Sequence, residues 1–333
     1  MKCVEQRWVT VGWRALTVIA VLTAATTAIL AQEKPQTSST PASSTPEVSP
    51  EELVRVTVAN ELAAANHPEL HHMFRSHKRT PKGSQTRLYV ETNQALAAML
   101  ICVNEQPLTA EQQRAETDHL AWLVNNPEQL RKKAAREKED EDRSLRIVKA
   151  LPDAFRYEYA GTEDSAAGLG KPGDQLLKLK FTPNPAYNPP SREQQVLRGM
   201  KGEVLIDKET RRLARIDGVL FQEVTFGWGI LGHLDKGGHF LVQQADLGLG
   251  DGAWGITRMN LNFSGKILMF KGINIVSDEV LSDFRLMPEH LTFAEGVQAL
   301  KTEGEKLAHQ NQAPEATLAT KHQSSSAGRS VPK

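Results

Sequence analysis

Arg258-Met259-Asn260-Leu261-Asn262-Phe263 sets an apolar side chain against a polar one at every second position. Successive side chains of a strand point to opposite faces, so this stretch predicts a strand with one face buried and one face wet. The same alternation sets Phe155, Tyr157 and Tyr159 against Arg156 and Glu158, and Leu177, Leu179 and Phe181 against Lys178 and Lys180. Turn signals separate such runs, at Asn93-Gln94, Asp251-Gly252 and Ser264-Gly265. From Gly202 to Val276 the chain therefore reads as an antiparallel meander of five or six strands. Asp251-Gly252 and Ser264-Gly265 are expected at the tips, with Met259, Leu261 and Phe263 on the buried side. A hairpin at about 84–103 and two strands near 154–182 join it.

Helices flank the strands. Ser49-Pro50-Glu51-Glu52 places a capping serine, a proline at the first helical position and a glutamate at the third. Thr109 with Gln112, Asn126-Pro127 with Gln129, and Thr292 with Glu295 repeat the pattern. The predicted helices are 50–66, 109–125, 127–150 and 292–308. Phe293, Val297 and Leu300 line one side of the last. Arg131 to Arg143 holds six basic and five acidic residues, which reads as a solvated face of mixed charge. No strand–helix–strand alternation appears, so the class is α+β: a curved antiparallel sheet covered on its concave face by helices.

The ends differ from the middle. Lys2, Arg7 and Arg14 precede the uncharged run Ala15 to Ala31, and Ile29-Leu30-Ala31 offers a cleavage site before Gln32. Residues 1–31 read as a secretory signal rather than a membrane anchor, because the run is short for a span and diluted by threonines. Residues 32–49 and 310–333 are rich in small and polar residues and read as disordered. Between them, 50–309 reads as one domain with a charged helical insertion at 109–150. The mature form is expected in the periplasm or secreted, and not membrane-spanning. The chain carries 40 basic and 40 acidic side chains, so it lacks the electrostatic footprint of a nucleic-acid binder. Cys102 is the one cysteine outside the signal. It falls on a predicted strand and is expected to be buried, reduced and inert.

Several motifs fail on physical grounds. Phe226-Gly227-Trp228-Gly229-Ile230-Leu231-Gly232 carries the letters of a dinucleotide fingerprint, but Leu234 to Gly238 continues as a turn where a helix must receive the phosphates. Gly170-Lys171 is followed by Pro172, which excludes a phosphate loop. His67, His71, His72 and His77 crowd a short stretch, yet Pro68 breaks the spacing that a zinc helix needs, and they read as surface histidines at a helix end. No Cys-x-x-Cys, no Gly-x-Ser-x-Gly and no paired carboxylates at credible spacing occur. The expectation is a chain that is not an enzyme and uses no cofactor or metal. Pro183-Asn184-Pro185-Ala186-Tyr187-Asn188-Pro189-Pro190 is either a recognition loop or a stiff connector, and the connector is favoured. Trp228 and Trp254, each flanked by glycine, are either core residues or the lining of an apolar cavity.

Gly202-Glu203-Val204-Leu205-Ile206-Asp207-Lys208-Glu209-Thr210-Arg211-Arg212-Leu213 resembles the strand–Asp–turn–strand hairpin of the LolA/LolB/RseB-like superfamily. That superfamily comprises periplasmic lipoprotein-sorting carriers and envelope-stress sensors. The likeness extends over about residues 70–285, and 183–285 is similar to a family of exported bacterial proteins. The resemblance implies an unclosed barrel wrapped over helices. It also implies a protein that binds an apolar ligand, such as a lipid acyl chain or a lipoprotein. Together with the glycine-flanked tryptophans, it makes Trp228, Leu231, Phe240 and Trp254 the candidate ligand-binding residues. The alternative is an interaction or envelope-sensing module, its cavity plugged by helices and its partner an envelope protein.

Overall fold

The computed structural model describes residues 48–65, 71–226, 232–250, 252–267 and 271–312. The expected secretory signal, most of the segment before residue 50 and nearly all of the expected tail lie outside them. In chain order the elements begin with α1 (Pro50–Ala65), β1 (His71–Thr80), β2 (Gly83–Val90), β3 (Ala97–Val103) and β4 (Gln106–Pro107). Next come α2 (Ala110–Asn125), α3 (Pro127–Ala154), β5 (Phe155–Asp164), β6 (Gln175–Pro183) and the short α4 (Arg192–Gln195). A 3-10 turn then leads to β7 (Met200–Asp207), β8 (Leu213–Leu220), β9 (Val224–Phe226) and β10 (Gly232–Leu234). The chain finishes with β11 (His239–Asp246), β12 (Trp254–Ile267), β13 (Lys271–Met287) and α5 (Phe293–Gln312). No described helix is long and apolar enough to cross a membrane.

The strands form an antiparallel 13-stranded sheet that does not close into a barrel. Their order is β4-β3-β2-β1-β13-β12-β11-β8-β7-β6-β5, with β9 and β10 off this path. This is the α+β class that the alternation predicts. The chain divides into two compact units: Met1–Pro68, Glu139–Asp246 and Trp254–Ile275 in the first, Glu69–Lys138, Leu247–Ala253 and Val276–Lys333 in the second.

In the first unit α1 buries Leu53, Val54, Thr57, Val58 and Glu61, a stripe at helical spacing. Its N-terminus is capped by Ser49 Oγ, which accepts from Glu52 N at 3.2 Å. Beneath it Tyr157, Leu179, Phe181, Val204, Ile206 and Ile216 supply the sheet side of the core, with Val148 and Leu151 of α3 beside them. Asn184 ties the proline-rich segment to the end of α3: its backbone N donates to Ala154 O and its Nδ2 to Asp153 O, both at 2.9 Å. Asp207, fully buried, caps the hairpin turn that carries the superfamily resemblance. Its Oδ1 accepts from Thr210 N at 2.9 Å and Thr210 Oγ1 at 2.8 Å.

In the second unit α5 presents Phe293, Val297 and Leu300, all buried, against Leu88, Val90 and Ala97. Gly296 permits the close approach, since a Cβ there would stand 2.6 Å from Thr92 Cγ2. Thr292 and Glu295 form the expected reciprocal cap. Cys102 lies on β3 as expected but is half-buried rather than buried; what burial it has pushes its thiol pKa up, which suppresses the reactive thiolate.

Four local expectations are corrected. Ser264-Gly265 is not a tip: β12 runs through it, and Gly265 lets β10 come so near that a Cβ would stand 2.1 Å from His233 O. Among the described residues the span Gly202 to Val276 holds parts of seven strands rather than five or six, because the three-residue β9 and β10 are too short to show a period. His71, His72 and His77 lie on β1, not at a helix end, and His71 is buried; His67 lies outside the described residues. The strand hides because its polar side chains find cross-strand partners, as His77 Nδ1 does with Thr86 Oγ1 at 3.0 Å. Finally, Asn126 meets Gln129 N at 2.9 Å through its backbone O rather than its side chain, whose Nδ2 donates backwards to Trp122 O at 2.7 Å, closing the end of α2. Met259 is buried, and Leu261 and Phe263 are partly so; Arg258 and Asn262 of the same strand are exposed, as the alternation requires.

Candidate functional site

The core under α1 continues into a rim that stays partly open. Phe226, Leu234, Phe240, Val242 and Phe263, from β9, β10, β11 and β12, pack on that core without being fully covered. Glycines seat two of the rings. Phe240 stands opposite Gly218 in the strand register, and a Cβ on Gly218 would lie 2.6 Å from its Cε1. A Cβ on Gly238 would lie 2.4 Å from Phe263 Cδ1. Each ring therefore packs close against backbone that has no side chain.

Next to the rim, α1 is fastened to the sheet through a buried carboxylate. Glu61 accepts from Arg212 Nε at 2.8 Å and Arg212 Nη2 at 3.3 Å. It also accepts from Leu213 N at 2.8 Å and Gln244 Nε2 at 3.3 Å. Asn60 Nδ2 reaches Thr210 O and Arg211 O, each at 3.3 Å. A buried carboxylate requires this density of donors, because its charge is expensive to remove from water. The cavity between α1 and the sheet, lined by Val54, Val58, Glu61, Leu151, Tyr157 and Ile216 among others, has a volume of about 10 Å³. That is room for one water at most. Tyr157 is held neutral by burial, which drives its phenol pKa far up, and it donates to Leu151 O at 2.8 Å.

Of the four expected binding residues two are described, Phe240 and Trp254, and they fall in different clusters. Phe240 belongs to the rim. Trp254 packs with Leu169, Leu176, Leu205 and Ala214, and the Arg212 guanidinium lies 5.3 Å from its ring centroid. Trp228 and Leu231 lie outside the described residues. Glu61, Arg212 and Phe263 escape a search for site residues. A glutamate at an apolar-face position of a predicted helix was the available signal for the first. The fingerprint glycines fall between β9 and β10, which pair antiparallel with Phe226 opposite Gly232. Among the described residues the next element is the strand β10, not a helix.

A scan against protein-family models finds no match, and no curated protein matches the chain. Among solved structures the chain is similar to a domain described as that of an outer membrane lipoprotein-sorting protein from Vibrio parahaemolyticus. The identity is 10% and the TM-score 0.29, over 74% of this chain and 99% of that one. It is similar to a DUF1329 family protein from Desulfovibrio piger, with 11% identity and a TM-score of 0.27, over 75% of this chain and 98% of that one. A third is MucB in complex with MucA(peri), with 8% identity and a TM-score of 0.19, over 71% of this chain and 98% of that one.

Proposed function

We propose that this chain is an exported, non-enzymatic binding module of the bacterial envelope, whose first unit takes an apolar ligand such as a lipid acyl chain. The observation that carries the reading is the rim of Phe226, Leu234, Phe240, Val242 and Phe263, an apolar surface continuous with the core yet left partly uncovered. Ligand sites are mostly apolar surfaces with few polar anchors, and seating aromatic rings over glycine pre-organises such a surface. Trp228 and Leu231, on the segment that joins β9 to β10, are proposed as further contacts. Trp254 is assigned to packing beneath Arg212.

The test is binding of a fluorescent sixteen-carbon fatty acid to the purified chain. Saturable binding is expected. Phe240→Ala and Phe263→Ala should each weaken it about tenfold or more, since covering a phenylalanine contributes about 1.5–3 kcal/mol. Trp254→Ala should leave the affinity unchanged. The acid should also raise the melting temperature, by about 2.7 kcal/mol of linkage at a hundredfold excess over its dissociation constant. Absence of both signals in folded protein sinks the acyl reading. The small cavity and the Glu61 fastening favour what would then replace it, an interaction module with its concave face plugged and an envelope protein as partner.

A further inference from the structure

We propose that Glu223, His233 and Asp235 form a binding site for one divalent cation of the zinc type. Their donor atoms all lie within 4.8 Å of one another, and this is the one such group among the described residues. The pair His233 Nε2 and Asp235 Oδ1 is 3.3 Å apart. Bonds of about 2.0–2.1 Å at a tetrahedral centre subtend a separation close to that. One imidazole nitrogen and two carboxylates suit zinc among the common divalent ions.

The fold explains why these side chains converge. In the β9–β10 pairing His233 stands opposite Thr225 and Leu234 opposite Val224. Leu234 and Val224 turn to the core, so His233 and Asp235 share the opposite side. Glu223, one residue before β9, arrives on that side too. The other flank of β10 is pinned to β12, with His233 opposite Lys266 and Leu234 opposite Gly265. Asp235 N donates to Ser264 O at 2.9 Å, and Ser264 Oγ donates to Asp235 Oδ2 at 2.7 Å. The second bond turns one carboxylate oxygen toward the serine and leaves Oδ1 facing His233. Hydrogen bonds of this kind, one step out from the ion, orient ligands in metal sites. Two of the three ligands are thus held before any ion arrives, and the exposed Glu223 closes on it. The exposed Lys266, on the strand beside His233, opposes the cation and tempers its affinity.

The experiment is titration of zinc chloride into the purified chain, followed by calorimetry and by the imidazole resonances of the histidines. One-to-one binding with a shift confined to His233 is expected. His233→Ala should weaken it at least a hundredfold, and Glu223→Gln and Asp235→Asn at least tenfold. Ser264→Ala should weaken it about ten- to a hundredfold, and Lys266→Gln should tighten it. His72→Ala and His77→Ala, on β1, should leave it untouched. Melting without zinc reports whether each variant folds, and the exposed Glu223→Gln keeps the test available if His233→Ala does not. No stoichiometric binding at neutral pH overturns the site. So does binding that survives His233→Ala and disappears in His72→Ala or His77→Ala.

Discussion

Glu61 occupies a core position of α1 among Leu53, Val54 and Val58, and only the donors of Arg212, Leu213 and Gln244 make that tolerable. Glu61→Ala would strand the largely buried Arg212 guanidinium and leave two further donors unpaired. Removing one partner of a buried pair costs about 3–5 kcal/mol, so urea unfolding should show a loss of that size. Glu61→Gln, which still offers an acceptor oxygen, should lose less. A loss below about 1 kcal/mol for Glu61→Ala would mean that the carboxylate is not what fastens the helix. This residue also marks a limit of reading the chain alone. Its place on the buried side was legible from the spacing of α1, but its partners lie about 150 and 180 positions away. The same holds for Phe263, which strand alternation finds, and for Phe240, named as a candidate contact: only the folded chain reveals Gly238 and Gly218 against their rings. Trp228 and Trp254 are grouped in the sequence by their flanking glycines, and flanking residues say nothing about which strand each ring meets.

The helices α2 and α3 acquire a role at the scale of elements. β3 pairs with β2 along its length on one side, and on the other only with the two-residue β4, at Cys102 and Val103. On the side left open, Leu100 N donates to Glu116 Oε1 at 2.7 Å and Leu96 N to Glu137 Oε2 at 3.0 Å. Carboxylates from α2 and α3 thereby satisfy backbone donors along a nearly free strand edge, the feature that otherwise recruits another chain. The charge-rich stretch from Arg131 to Arg143 is therefore not wholly a solvated face, since Glu137 is turned inward. Charge patterning does not separate the two cases, because both place alternating acids and bases on a helix. The double variant Glu116→Ala, Glu137→Ala should speed amide exchange at Leu96 and Leu100 by at least tenfold. It should also make the protein self-associate with concentration in light scattering. Unchanged exchange at both amides would show that the edge is closed by something else. The helix boundaries themselves were legible within a few residues, since Thr109 with Gln112 and Thr292 with Glu295 form the caps that the sequence spells.

At the scale of the whole chain, the α+β class and the antiparallel order followed from period-two alternation, whereas the division into two units did not, because α3 and β13 each run through both. The charges of the whole also set how stability depends on pH, and the sign differs at the two ends of the scale. Glu163 is held low by its hydrogen bond from Lys178, Glu303 by its bond from Arg285, and Glu193 by its backbone and Ser191 bonds. A depressed carboxyl pKa contributes stability that is present above the unfolded value, about 4.3, and is lost as pH falls through the folded one. At the alkaline end the phenols act in the opposite sense. Burial drives Tyr89 up to about 12 and Tyr157 higher still. A raised phenol pKa contributes stability in full below the unfolded value, about 10, and loses it as pH rises through the folded one. The urea midpoint should therefore stay level between about pH 5 and pH 9, decline below about pH 4.5 and decline again above about pH 10. Tyr157→Phe should make the alkaline limb shallower, leaving the part due to Tyr89, at the expense of the hydrogen bond to Leu151 O, while leaving the acid limb as it is. An alkaline limb as steep in Tyr157→Phe as in the parent chain would show that this phenol does not govern it.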